Sequence, residues 1–244
     1  MVNFCWGDWL CFIVNLASTT KTTITTLKRA LFTLSSAMCL CAAPLTFTST
    51  GPFTLQDPPA SLSEQGPATN PYPLTVEVAG FTAVTTSVTL TLGGLSHTFP
   101  DDLHFLLVSP TGQTLYVMGN AGGSVDVNSC SLTFSDLATS TAPDSSALVC
   151  GSTYLPNSVY VFVTLEPFAA GTPSGPYGTS FSVFNGFSPN GTWKLYIGDD
   201  TGGDSGSLGS WSLTIDAADT AIPEPSTVVL LTAGLAAIAL RRRK

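Results

Sequence analysis

The chain has 244 residues, a formal net charge of −8, and only 10% charged residues. Between Pro44 and Ile222 there are fourteen Asp and Glu against the single basic residue Lys194, a formal charge of 1 − 14 = −13. A surface this acidic repels nucleic-acid phosphates and excludes nucleic acid as a partner. It is read either as simple solubility outside the cell or as an attraction for divalent cations.

At the N-terminus, Lys28-Arg29 precedes an apolar run from Ala30 to Leu40, and small residues at Ala42-Ala43 follow. A basic region, a short apolar region and small residues at a cut form a secretory signal peptide, so residues 1–43 are expected to be removed by the Sec export machinery. Residues 44–70 hold Pro52, Pro58, Pro59 and Pro67 among Ser, Thr and Gly. That composition predicts a semi-extended spacer with no core of its own.

From Pro71 to about residue 217, short apolar stretches alternate between turn signals and no segment has a helical period. Val84–Leu92 is β-branched, alternates, and is expected to end at Gly93-Gly94. Leu103–Val108 turns through Ser109-Pro110-Thr111-Gly112 into Leu115–Met118. Val125–Phe134, Val159–Leu165 and Phe181–Phe184 are expected to be further strands. Thr192–Ile197 and Leu208–Ile215 flank an acidic, Gly-rich turn from Gly198 to Ser207. The fold class is therefore all-β, an antiparallel β-sandwich. Trp193 and Trp211 alternate with Leu195, Ile197, Leu213 and Ile215 and read as core. Tyr72, Tyr154, Phe168 and Tyr177, among Pro, Gly and Ser, are the more exposed aromatic candidates for a carbohydrate surface.

Four of the six cysteines, Cys5, Cys11, Cys39 and Cys41, lie in the segment expected to be removed. Cys130 and Cys150 remain, and two cysteines in an exported domain read as one disulfide. It would close a loop of about twenty residues, worth about 3 kcal/mol.

At the C-terminus, Pro223-Glu224-Pro225 is followed by an apolar stretch, Ser226–Leu240, and then by Arg241-Arg242-Arg243-Lys244. Basic residues after an apolar helix hold that end in the cytoplasm. About fifteen residues give only ~22 Å of helix, short of a ~30 Å hydrocarbon core, which suits a transient single transmembrane helix. The alternative is an ordinary tail anchor. The order of motif, helix and basic tail over residues 222–244 resembles the PEP-CTERM sorting signal of Gram-negative bacteria that make exopolysaccharide. That resemblance implies processing by exosortase, a membrane transpeptidase, and delivery to the outer surface or extracellular matrix.

A second resemblance runs through the body. His97-Thr98-Phe99-Pro100-Asp101-Asp102-Leu103-His104, continuing to Gly112, is similar to the central motif of the P domain (P/Homo B domain) of proprotein convertases. So are Phe184-Asn185-Gly186, the stretch Pro189 to Asp200, Gly203-Asp204-Ser205-Gly206, and Gly209–Ile215. The resemblance implies a jelly-roll sandwich with a docking or stabilising heritage. The convertases' protease domain is not expected here, because no stretch is long enough to hold one.

Enzymatic activity is not expected. A Ser-His-Asp triad needs a His between a nucleophile and a carboxylate, and His97 and His104 both fall inside the resembling motif. Asp101-Asp102 and Asp199-Asp200 are neighbours in sequence, and neighbours on a strand point to opposite faces. Calcium is the candidate cofactor. Asp199, Asp200 and Asp204 sit in a Gly-rich turn that can gather oxygens around a hard cation. Asp101 and Asp102 either join them or form a separate site, and a plain acidic turn is the competing reading. The functional expectation is an exported binding or scaffolding module at the cell surface or in the matrix, with exopolysaccharide among its partners. The alternative is an accessory domain that docks on a separate subtilisin-like serine protease.

Overall fold

The structure is a computed structural model that describes residues 43–56, 66–156 and 168–218. All lie within the second of the chain's two units, Leu40–Lys244. The signal-peptide helix, the strand expected at Val159–Leu165, and the sorting motif with its transmembrane helix fall outside the described residues. Among the described residues, no helix is long and apolar enough to cross a membrane.

Among the described residues, ten strands form two five-stranded sheets. The first sheet holds β1 (Leu45–Leu55), β10 (Gly206–Ala218), β4 (Val84–His97), β7 (Val127–Phe134) and β8 (Thr153–Tyr154), in that order. In the second, β2 (Gly66–Pro67) and β3 (Leu74–Val78) both pair with β9 (Gly191–Asp199). The sheet continues through β5 (Leu103–Val108) to β6 (Thr114–Met118). All pairings are antiparallel except β7 with β8. The architecture is the all-β sandwich expected from strand patterning.

The inner faces meet in one core. Leu90 and Leu92 of β4, Leu132 and Phe134 of β7, and Trp211, Leu213 and Ile215 of β10 come from the first sheet. Leu74 of β3, Phe105 and Leu107 of β5, and Trp193, Leu195 and Ile197 of β9 come from the second. Both tryptophans are thus core residues; the indole N–H of Trp193 donates to the carbonyl of Pro189 at 2.8 Å. Cys130 and Cys150 form the expected disulfide, with Cα atoms 5.0 Å apart.

The outer faces differ in chemistry. Every residue of β5 is buried, because the segment around Phe168 to Tyr177 lies over the outside of the second sheet. Phe168 packs there with Leu106, Val108, Tyr116 and Tyr196, flanked by Tyr72 and Tyr177. Among the described residues, the outside of the first sheet is left uncovered and is rich in hydroxyls, with Asp216 toward one end. Register places Thr48, Ser212, Thr91, Thr133 and Thr153 in one row across all five strands. Thr46, Thr214 and Thr89 form a parallel row, and Thr50, Ser210 and Gly93 another.

Four sequence expectations are corrected. The described residues of the 44–70 stretch, 44–56 and 66–70, are not a spacer without a core: β1 pairs with β10 from Leu45↔Ile215 to Leu55↔Gly206, and Leu55 and Ala68 join the core. Proline content misled because Pro52 sits at the irregularity between Thr50 and Phe53, where the ladder is already interrupted. Strand β4 does not stop at Gly93-Gly94 but runs on to His97, with a shift in its pairing to β7 between Leu92 and Leu95. Gly94 takes φ +67°, so this bend is one that glycine accommodates without strain. Phe181–Phe184 is a 3-10 turn, not a strand. Asp136 accepts from the backbone N–H of Phe181 and of Ser182, both at 2.9 Å, and fixes the turn's start. Of the aromatics expected near the surface, Tyr154 and Phe168 are buried and Tyr72 and Tyr177 half-buried, so they form no stacking platform.

Candidate functional site

Two connections cross between the sheets side by side. Residues 98–102 carry the chain from β4 to β5, and residues 200–205 carry it back from β9 to β10. They are tied by backbone bonds from Thr98 N–H to the Ser205 carbonyl and from Asp200 N–H to the Asp102 carbonyl, both 3.1 Å. Ser205 N–H also donates to the Thr98 hydroxyl at 3.1 Å. This double corner collects most of the acidic residues singled out above.

Three side chains meet at its centre. His97 ends β4 at a position that continues the inward-facing series Val88, Leu90, Leu92 and Leu95. Its Nε2 lies 3.4 Å from Asp199 Oδ2 and 3.3 Å from Asp204 Oδ1. Asp199 ends β9, and its other oxygen accepts from Thr201 N–H at 3.2 Å, which orients the carboxylate inward. Phe99 N–H donates to His97 Nδ1 at 3.3 Å. Room for the ring depends on Gly206: a Cβ there would collide with His97 Cδ2 and the Ser96 carbonyl.

The electrostatics reflect crowded carboxylates. Burial disfavours charge on His97, yet Asp199 and Asp204 outweigh it and leave the imidazole pKa above its ordinary value. Burial, then the neighbouring Asp204, Asp200 and Asp199, push the Asp102 carboxyl up to about 8. Asp101 is raised as well, by burial and then by Asp144.

Asp199 and Asp204 therefore sit together, with Asp102 beside them. Asp200 turns the other way and accepts from the buried His104, Nε2 to Oδ2 at 3.0 Å. The other nitrogen of His104 meets the Tyr116 hydroxyl at 2.6 Å. With a carboxylate at Nε2, that nitrogen donates and Nδ1 accepts from the phenol. Burial raises the Tyr116 pKa, which keeps the phenol protonated. Asp101 faces Gly123 and Asp144 instead of the cluster. His97 was missed as a site residue because one motif explained it as structural. Its signal was a lone imidazole at an inward-facing strand position.

His97 thus faces two carboxylates and accepts from a backbone amide, while His104 bonds a carboxylate and a phenol.

The C-terminal residues answer a different question. Residues 221–244 match the family model described as the PEP-CTERM protein-sorting motif. The chain carries a PEP-CTERM sorting signal. Pro223, Glu224, Pro225 and the basic tail Arg241, Arg242, Arg243 and Lys244 all lie within the match. The signal marks an exported protein sorted to the envelope or surface of a Gram-negative cell.

No curated protein matches the chain. Among solved structures, the Aeromonas sobria serine protease in complex with the chaperone is similar at 16% identity over 73% of this chain and 28% of that chain, with a TM-score of 0.33. The Aeromonas sobria serine protease alone is similar at 17% identity over 70% of this chain and 27% of that chain, with a TM-score of 0.32. This chain thus spans less than a third of the chains it resembles.

Proposed function

We propose that the protein is a non-enzymatic module of the cell surface or extracellular matrix that binds neutral, hydroxyl-rich polysaccharide through the bare face of the first sheet. An exosortase-type transpeptidase would process its C-terminus. The observation that carries the binding reading is the row Thr48, Ser212, Thr91, Thr133 and Thr153 across five strands. Neighbouring strands are ~4.8 Å apart and alternate residues on one strand about 6.8 Å apart, so the hydroxyls form a regular two-dimensional array. Each hydroxyl offers one donor and two acceptor sites. Bonds within the array, such as Thr46 to Thr214 at 2.9 Å and Thr91 to Thr133 at 3.3 Å, leave capacity toward solvent. In the three rows no residue is charged, so a polyol would meet no desolvation cost from buried ions.

The test is retention of the protein on an insoluble neutral polysaccharide from the producing cells. Ser212→Lys and Thr91→Lys each place a bulky charge at the middle of the array without touching the core. Loss of retention with an unchanged melting temperature supports the reading. Equal retention of wild type and both variants sinks it.

A second reading rests on the P-domain motifs at 97–112 and 184–215: the sandwich docks on a separate subtilisin-like protease. Co-purification of such a protease from the secreting cell would favour it. Purification free of any protease would count against it.

A further inference from the structure

We propose that His97, Asp199 and Asp204, with Asp102 beside them, bind a divalent transition ion of the zinc or manganese class. This site is separate from the hydroxyl face and does not depend on it.

Geometry is the first ground. One ligand atom from each of His97, Asp199 and Asp204 falls within 4.8 Å of the others. The distances from Nε2 to the two carboxylate oxygens are 3.4 and 3.3 Å. Ligands about 2.0–2.1 Å from a tetrahedral ion stand about 3.3 Å from one another.

Unsatisfied polar atoms are the second, independent ground. His97 is 2% exposed and Asp199 is 0% exposed. Neither His97 Nε2 nor Asp199 Oδ2 makes a hydrogen bond; they face each other across 3.4 Å. Buried polar atoms in folded proteins are nearly always paired, and an exception asks for an explanation. Here both exceptions aim into the same small space. Meanwhile Asp102, Asp199, Asp200 and Asp204 crowd one corner. Lys194, the only basic side chain between residues 44 and 222, is exposed. Among the described residues, no Lys or Arg supplies the balancing charge.

Ligand chemistry then selects the ion. Calcium and magnesium take oxygen ligands, whereas imidazole nitrogen suits zinc and other first-row transition ions. A carboxylate cluster alone would point to calcium; His97 at its centre shifts the preference. The site is also braced before any ion arrives. Thr201 N–H holds Asp199, Gly206 leaves room for the ring, and the backbone bonds between the two crossings hold the segments together. One interaction opposes binding. Phe99 N–H donates to Nδ1, so the neutral ring carries its proton on Nε2. An ion at Nε2 displaces that proton and needs Nδ1 protonated, so this long 3.3 Å bond is given up on loading.

The experiment uses the full chain in mild detergent, stripped with EDTA and then titrated separately with zinc, manganese and calcium chloride. Melting temperature and calorimetric stoichiometry are read, with cobalt(II) as a spectroscopic probe. The expected result is a rise of several degrees with one equivalent of zinc or manganese and a tetrahedral cobalt spectrum. Both should be lost in His97→Asn. Asp204→Asn, at the partly exposed edge of the cluster, is the second variant should His97→Asn fail to fold; it too should lose the shift. Stabilisation by calcium alone overturns the nitrogen-ligand assignment. So does zinc binding that survives in a folded His97→Asn protein. No response to any of the three ions overturns the site altogether.

Discussion

Leu55→Ala tests directly whether residues before Pro71 belong to the sandwich. Leu55 ends β1, is 1% exposed, and packs in the main core. Truncating a fully buried leucine costs about 2–5 kcal/mol, the lost transfer energy plus the cavity left behind. The backbone around Leu55 is held on both sides, by its pairing with Gly206 and by the 2.7 Å bond from Gln56 N–H to the Ala68 carbonyl. That limits collapse of the cavity and places the cost near ~3 kcal/mol. For a domain of this size each kcal/mol moves the melting temperature by about 2–4 °C, so a fall of about 6–12 °C is expected. Scanning calorimetry on the secreted protein measures it, with Thr48→Ala on the outward face of the same strand as the control. Such a surface change should stay within about 0.5 kcal/mol. Were residues 44–70 a spacer, the two variants would behave alike. A Leu55→Ala midpoint within about 2 °C of wild type would refute β1 as a structural strand.

Replacing both Cys130 and Cys150 with Ser should cost about 3 kcal/mol, from the sequence separation of 20 in the closed loop. Wild type melted in reductant should show the same fall, and equal midpoints with and without reductant would contradict the estimate. Gly119→Ala places a Cβ against the Tyr116 hydroxyl and His104 Nδ1. Breaking that buried pair should cost about 1–3 kcal/mol in a thermal melt, and an unchanged midpoint would show that the pair does not need the room Gly119 leaves.

The strand-rich class was legible in the sequence because alternation in β4, β9 and β10 is strong and local. The core placement of Trp193 and Trp211 was legible for the same reason. What escaped depended on partners distant in sequence. Nothing inside residues 45–55 says that β10, more than 150 residues away, completes the pairing of that strand. Phe181 and Phe184 looked like a short strand, and only Asp136, from another loop, shows the turn being held by its amide acceptor. At the corner, sequence proximity grouped Asp101 with Asp102 and Asp199 with Asp200. Extended backbone sends such neighbours apart: Asp199 faces His97, and Asp200 faces His104. His97 joins the cluster through Gly206↔His97, a pairing with no local trace.

Pairing of the first strand with the last has a consequence for traffic. The first sheet has β1 at its edge against β10, so that edge closes only when both ends of the domain are on the same side of the membrane. A chain threaded N-terminus first through a translocation pore holds β1 outside while β10 is still to come. Contacts of such long sequence separation form late and slowly. Completion of the sandwich waits for arrival of the segment that directly precedes the sorting signal.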